Sequence, residues 1–337
     1  MTRTLGAGTL TALLLLVSPG RAAHDPPASP TFARDVRPIL TARCTTCHAP
    51  AGSAPMPLTS YDEVRFHGRE IREQILTRRM PKWHAARGYG AFVNDPTLDP
   101  HEQAVLVAWI DGGMPEGTPQ GLKAARPSMR LRAPEDAPTL QVVVPAHGAV
   151  GRADGSQTQW ITGWTFAPGD PLITAAVMSV DGVSVGAWVA GDRPTALPPG
   201  MGFRSGSRIR VDVRRRAATA DESPFVARRS VLTLSTEHDN PLRRAWTEQV
   251  ACGALRSGPP AELLAVRPLL ERDAVRLSIT RFGAPASIVG WIRDFDPLYP
   301  RTYWLQRPLD LSADARMVGD GPCRVELTLT RPSTARR

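Results

Sequence analysis

Apolar residues Phe32, Val36, Ile39 and Leu40 recur at i, i+4, i+7 and i+8, which puts them on one face of a helix. Ser60 followed by Glu63 has the form of a capping box, and Val64, Ile71 and Ile75 mark the buried face of the helix it opens. Asp99, with Pro100 at the first helical position and Glu102 two residues later, opens a third helix. Its Val105, Leu106, Trp109 and Ile110 face a core until Gly112 and Gly113 stop it. The stretch between the second and third helices is irregular and rich in Gly, Pro and Asn. From about 118 to 138 the chain shifts to Pro, Gly, Ala and Arg with no apolar period, which predicts a linker. Beyond it the period falls to two. Runs at 140–144, 209–213, 231–234 and 325–329 alternate apolar with polar residues, and turn clusters such as Pro168-Gly169-Asp170 and Pro198-Pro199-Gly200 separate them. Many short strands between regular turns predict an all-β sandwich. A second composition break at 236–241 divides it into two β units, 139–235 and 236–337.

Composition agrees with a folded chain of two or three domains. The 337 residues are 42% hydrophobic and 22% charged, which argues against disorder. The net charge is +9, yet the longest basic run is Arg214, Arg215 and Arg216, too sparse for a nucleic-acid track. The N-terminus changes the picture more. Arg3 precedes an apolar stretch from Leu10 to Val17, then Ser18, Pro19 and Gly20, with Ala22 and Ala23 offering a cleavage site. Residues 1–23 read as a secretory signal peptide, with an uncleaved anchor as the alternative. After cleavage the protein is not expected to be integral to a membrane. Its place is the periplasm or another exported, oxidising space.

The sharpest chemical signal is Cys44-Thr45-Thr46-Cys47-His48. In an exported protein this spacing reads as covalent haem c attachment. The two thiols reach two vinyl groups on one porphyrin edge, and His48 then lies where it can ligate the iron. A thioredoxin-like pair or half of a zinc site are the competing readings. The first wants a βαβ setting and the second another ligand pair. For the sixth iron position Met80, followed by Pro81, is the first choice and His84 the second, ahead of Met56, His67, His101 and Met114. Cys252 and Cys323 are the only cysteines left, and an oxidising compartment pairs them in a disulfide.

With those residues in hand, 31–117 resembles a class I c-type cytochrome domain, of the type with Arg-Met-Pro-x-Trp-His-Ala, here Arg79 to Ala85, and the domain is expected to span 24–117. In that group the domain is often fused to a copper type II, ascorbate-dependent monooxygenase-like region. Residues 139–330 resemble that region through Thr162-Gly163-Trp164, Gly186-Ala187-Trp188 to Gly191-Asp192, and Arg301-Thr302-Tyr303-Trp304. The resemblance implies an all-α cytochrome domain followed by two jelly-roll-like sandwiches. Where the family places copper-binding histidines this chain has Ala175, Ala176, Asp212 and Arg214, and only His147 and His238 remain in the β region, so no copper is expected.

The function this predicts is a monohaem electron carrier with a β docking module and an unidentified redox protein partner. The alternatives are a haem enzyme or gas sensor with an open distal site, and a haem-fed copper monooxygenase. No nucleophile elbow or phosphate loop supports a hydrolase or nucleotide site.

Overall fold

The computed structural model describes residues 29–332, except 51, 55, 119–137, 145–148, 153–158, 207, 219–227, 240, 242, 257, 271–273 and 282–283. The leader at 1–23, most of the 118–138 linker and His147 lie outside the described residues. A π-helical turn, Phe32–Val36, continues as α1 (Arg37–Arg43). Then come α2 (Tyr61–Phe66), α3 (Gly68–Leu76) and α4 (Pro100–Asp111). Both capping boxes are present. Ser60 accepts from the Glu63 amide while Glu63 accepts from the Ser60 amide, and Asp99 and Glu102 repeat the exchange. Each box satisfies N-terminal amides that the helix itself leaves open. The single helix expected after Ser60 is two helices, because the backbone turns out of helical geometry at His67. No helix among the described residues is long and apolar enough to cross a membrane.

The first β unit runs β1 (Thr139–Val144), β2 (Ala149–Arg152), β3 (Trp160–Ala167), β4 (Ile173–Val180), β5 (Val183–Val189), β6 (Thr195–Ala196), β7 (Met201–Arg204), β8 (Arg208–Arg215) and β9 (Ser230–Glu237). The second runs β10 (Arg243–Ala251), β11 (Ala261–Pro268), β12 (Val275–Arg281), β13 (Ala284–Ile292), β14 (Tyr303–Leu311), β15 (Arg316–Gly319) and β16 (Arg324–Thr330). One nine-stranded sheet takes strands from both, in the order β1-β9-β3-β7-β10-β16-β11-β14, with β6 on β3. The junction is the parallel pair β7 and β10, where Met201 faces Arg243 and Phe203 faces Ala245.

Two smaller sheets cover this long one. The β2-β8-β4-β5 sheet packs Met178 and Val211 against Val142, Trp164 and Leu234. The β13-β12-β15 sheet packs Leu277, Val289 and Met317 against Leu263, Val266 and Leu327. The alternation seen in the sequence is this division between buried and outward faces. Gly186 is required by its partner: a Cβ there would sit 2.6 Å from the Trp164 ring. Cys252 and Cys323 are joined as a disulfide between the end of β10 and the start of β16.

The expected all-α cytochrome domain is not what the chain builds. Among the described residues strand accounts for 42% and helix for 16%, and the helices are 6, 7, 9 and 12 residues long. They share an apolar cluster around Phe32, Leu40, Leu106 and Trp109. The chain between α3 and α4, however, leaves that cluster for the β body. Trp83, Ala85 and Phe92 join the second β core, Ala85 bridges to Ile292, and Phe92 bridges to Leu305. Asn94 then donates to the Thr302 carbonyl at 2.8 Å and accepts from the Trp304 amide at 3.0 Å. The helices are thus a layer on a β body. The resemblance to a class I c-type cytochrome, fused to a copper monooxygenase-like region, is withdrawn on that ground.

Candidate functional site

A cavity of about 760 Å³ lies between the helical layer and the β body. On the helical side the segment after α1 curls tightly. The Cys47 and His48 amides both donate to the Cys44 carbonyl, at 3.1 and 2.9 Å. His48 then uses Nδ1 on the Met56 carbonyl at 2.9 Å, and the Leu58 amide returns to the His48 carbonyl at 2.8 Å. Cys44, Cys47, His48 and Leu58 all line the cavity, with Ile71 and Ile75 of α3.

The β side supplies the loop after β5 and the approach to β14. The Asp192 amide donates to the Val189 carbonyl at 2.7 Å, and the Asp192 carboxylate accepts from the Val189 amide at 3.0 Å. Gly191 carries φ +88°, and a Cβ there would lie 2.4 Å from the Cys47 sulfur, so the two sides meet closely only because this residue is glycine. Arg193 donates to the Ala42 carbonyl and ties the β loop to α1. Arg301, only 4% exposed, pairs with Asp192 and lies over the Trp83 ring at 5.5 Å. Lys82 sits 3.9 Å from the Tyr299 ring centre and 3.7 Å from Asp296.

Burial sets the charge states. It pushes the Cys44 thiol up to about 12, reinforced by the neighbouring Cys47. Burial also raises Cys47, against the pull of a hydrogen bond with Ser53. Both thiols are therefore protonated near neutral pH, which removes the thiolate that nucleophilic chemistry needs. Burial lowers His48, against the stabilising Met56 hydrogen bond, so its imidazole is neutral. With Nδ1–H engaged by a carbonyl, the lone pair falls on Nε2.

Among the residues singled out from sequence, Cys44, Cys47, His48 and Met80 all line the cavity, Met80 at its more exposed rim. His84 lies off it, with its ring toward Phe295 and its Nε2 buried without a partner. Sequence reasoning missed Asn94, Asp192, Arg193 and Arg301. Asp192 and Arg301 stand in stretches that carried the family resemblance, but nothing local announces that they pair across 109 residues.

No family model matches the chain, and no curated protein matches it. Among solved structures, the crystal structure of the major capsid protein P2 from bacteriophage PM2 is similar over 59% of this chain and 99% of that one, at 10% identity and a TM-score of 0.30.

The haem c expected on Cys44 and Cys47, with His48 and Met80 or His84 on its iron, does not stand. The helices form no haem-binding all-α domain, and no group of three or more His, Cys, Asp or Glu side chains that could hold a metal ion occurs among the described residues. Copper was a question only through the withdrawn resemblance, and it goes with it. The electron-carrier and haem-enzyme expectations both ran through that haem.

Proposed function

We propose that the protein is an exported binding protein whose cavity takes a compact, largely apolar organic ligand between the helical layer and the β body. The observation that carries this is the cavity: about 760 Å³ falls in the range of roughly 300–1,000 Å³ typical of small-molecule sites. Leu58, Ile71 and Ile75 form its apolar wall on one side, and Ala187, Ala190 and Trp304 on the other. Cys44 and Cys47 add neutral, polarizable thiols, and His48 adds a neutral hydrogen-bond acceptor. Export is supported by the leader-like N-terminus and by the Cys252–Cys323 disulfide, which suits an oxidising space.

The test is a fluorescence titration with phenylnaphthylamine, an apolar probe that brightens out of water. One saturable site per chain is expected. Gln74, half-buried on α3 and lining the cavity, supports a blocking variant, and Gln74→Trp is expected to abolish the signal without loss of fold by circular dichroism. No saturable binding, or binding that Gln74→Trp leaves intact, rejects the proposal.

A further inference from the structure

We propose that the outward face of the β13-β12-β15 sheet docks a linear acidic polysaccharide, one bearing carboxylates or sulfates, on Arg276 and Arg293. This face is independent of the cavity and takes from the reading above only the exported setting. On β12, Leu277 and Ile279 are buried, so Arg276, Ser278 and Thr280 face outward. The three strands together carry Arg276, Arg281 and Arg316 and no acidic residue. Trp291 of β13 stands beside Arg276 across the strand pair. The Arg276 guanidinium lies 5.0 Å from the Trp291 ring centre and 5.5 Å from that of Tyr89, and Arg293 lies 5.1 Å from Trp291. The loop that brings Tyr89 here is fitted to the sheet. The Ala86 amide donates to the Trp291 carbonyl at 2.7 Å, and a Cβ on Gly90 would collide with the Val289 carbonyl.

Arg276 and Arg293 are both exposed, and among the described residues neither is in an ion pair. Asp320, just after β15, accepts from the backbone amide of Arg276 at 3.1 Å. A ring engages the flat face of a guanidinium and leaves the N–H donors round its edge open to oxyanions. Two permanent cations held against one indole also repel each other, and an anion beside them relieves that repulsion. Small-molecule sites are concave, whereas this is the outside of a sheet, so an extended polymer fits it better. Arg316 pairs with Thr280, four residues or about 13 Å along β12 from Arg276, so positive charge recurs along the line a polymer would follow. An exported protein meets acidic glycans rather than nucleic acid.

The experiment measures binding of the full chain to immobilised heparin, polygalacturonate and neutral dextran. Saturable binding to the two acidic polymers is expected, weakening as salt rises, with none to dextran. Arg276→Gln with Arg293→Gln should weaken it by about tenfold or more, the scale of one charge-assisted contact, while the urea midpoint and phenylnaphthylamine binding stay unchanged. A control removes the same charge from the helical layer, where Arg65 and Arg69 are exposed. Arg65→Gln with Arg69→Gln should leave binding within about twofold of the wild type. Equal loss in both pairs would show a response to net charge alone and overturn the proposal, as would no binding to either acidic polymer. Tighter binding to phosphatidylglycerol vesicles than to either polymer, lost in the Arg276 and Arg293 pair, would overturn the polysaccharide in favour of a membrane surface. The cavity reading stands or falls separately, on Gln74→Trp.

Discussion

Trp83, from the stretch between α3 and α4, packs edge-on against Tyr303 of β14, with ring centroids 4.9 Å apart and planes at 62°. Phe92 completes the cluster, 5.9 Å from Trp83 and 5.3 Å from Tyr303. Three aromatic rings thus hold the helical layer to the β body. Trp83→Ala is expected to cost about 3 kcal/mol in urea unfolding, the scale of a large aromatic truncation. It should also make the 77–98 segment more sensitive to protease. An unchanged midpoint would show that the cluster does not carry the attachment.

The Tyr303 hydroxyl is buried without a hydrogen-bond partner, and burial strongly disfavours its ionisation. Removing an unsatisfied buried hydroxyl relieves a desolvation cost. Tyr303→Phe is therefore expected to be neutral or to stabilise by up to about 1 kcal/mol. A loss above that in the same urea assay would mean that the hydroxyl has a partner.

Cys252 and Cys323 close a loop with a sequence separation of 71, and the Cys252 amide also donates to the Cys323 carbonyl at 2.8 Å. Replacing both by Ser should cost roughly 4 kcal/mol in the chain-entropy account. Thiol titration of the unreduced, denatured protein should find Cys44 and Cys47 alone. Four reactive thiols would refute the bond in solution.

Because burial holds Cys44 protonated up to about 12, its alkylation by iodoacetamide should be slow at pH 8 and accelerate only in strong alkali. The same shift has a sign for stability. An unfolded thiol ionises near pH 8.5 while the folded one keeps its proton, so stability falls as pH rises above about 8.5. Rapid alkylation of the folded protein at pH 8 would contradict the burial argument.

His48 and His84 move the other way. Burial lowers both, and Arg301 adds to the effect at His84. Below about pH 6.5 the unfolded imidazoles take up protons that the folded ones refuse. Stability present above pH 6.5 is then lost on acidification, at up to about 1.4 kcal/mol per pH unit for each histidine. Urea midpoints from pH 7.5 down to 5.5 should fall, and His84→Gln should flatten part of that slope. A flat wild-type profile would show that the histidines are not held neutral.

The sequence revealed what local physics controls. Ser60 with Glu63 and Asp99 with Glu102 marked two helix starts, because a capping box is complete within four residues. Alternation in 140–144 and 325–329 marked strands, because a half-buried strand writes its own pattern. The stretch around Trp83 and Phe92 looked irregular because its partners, Tyr303 and Leu305, lie some two hundred residues away. The apolar faces of the helices announced burial without saying against what. The same limit hid the site: Cys44, Cys47 and His48 were visible as a motif, while Asp192 and Arg301 become a pair only through the fold.

The parallel meeting of β7 and β10 has a mechanical meaning. A hydrogen-bond ladder passes from one β unit to the other at Met201, Gly202 and Phe203, so the seam between the halves is itself part of the sheet. Twisting one against the other would load all three positions together, as a beam carries torque through its web. The two sandwiches are therefore joined through one continuous sheet, and the Asp192–Arg301 ion pair is a second tie between them.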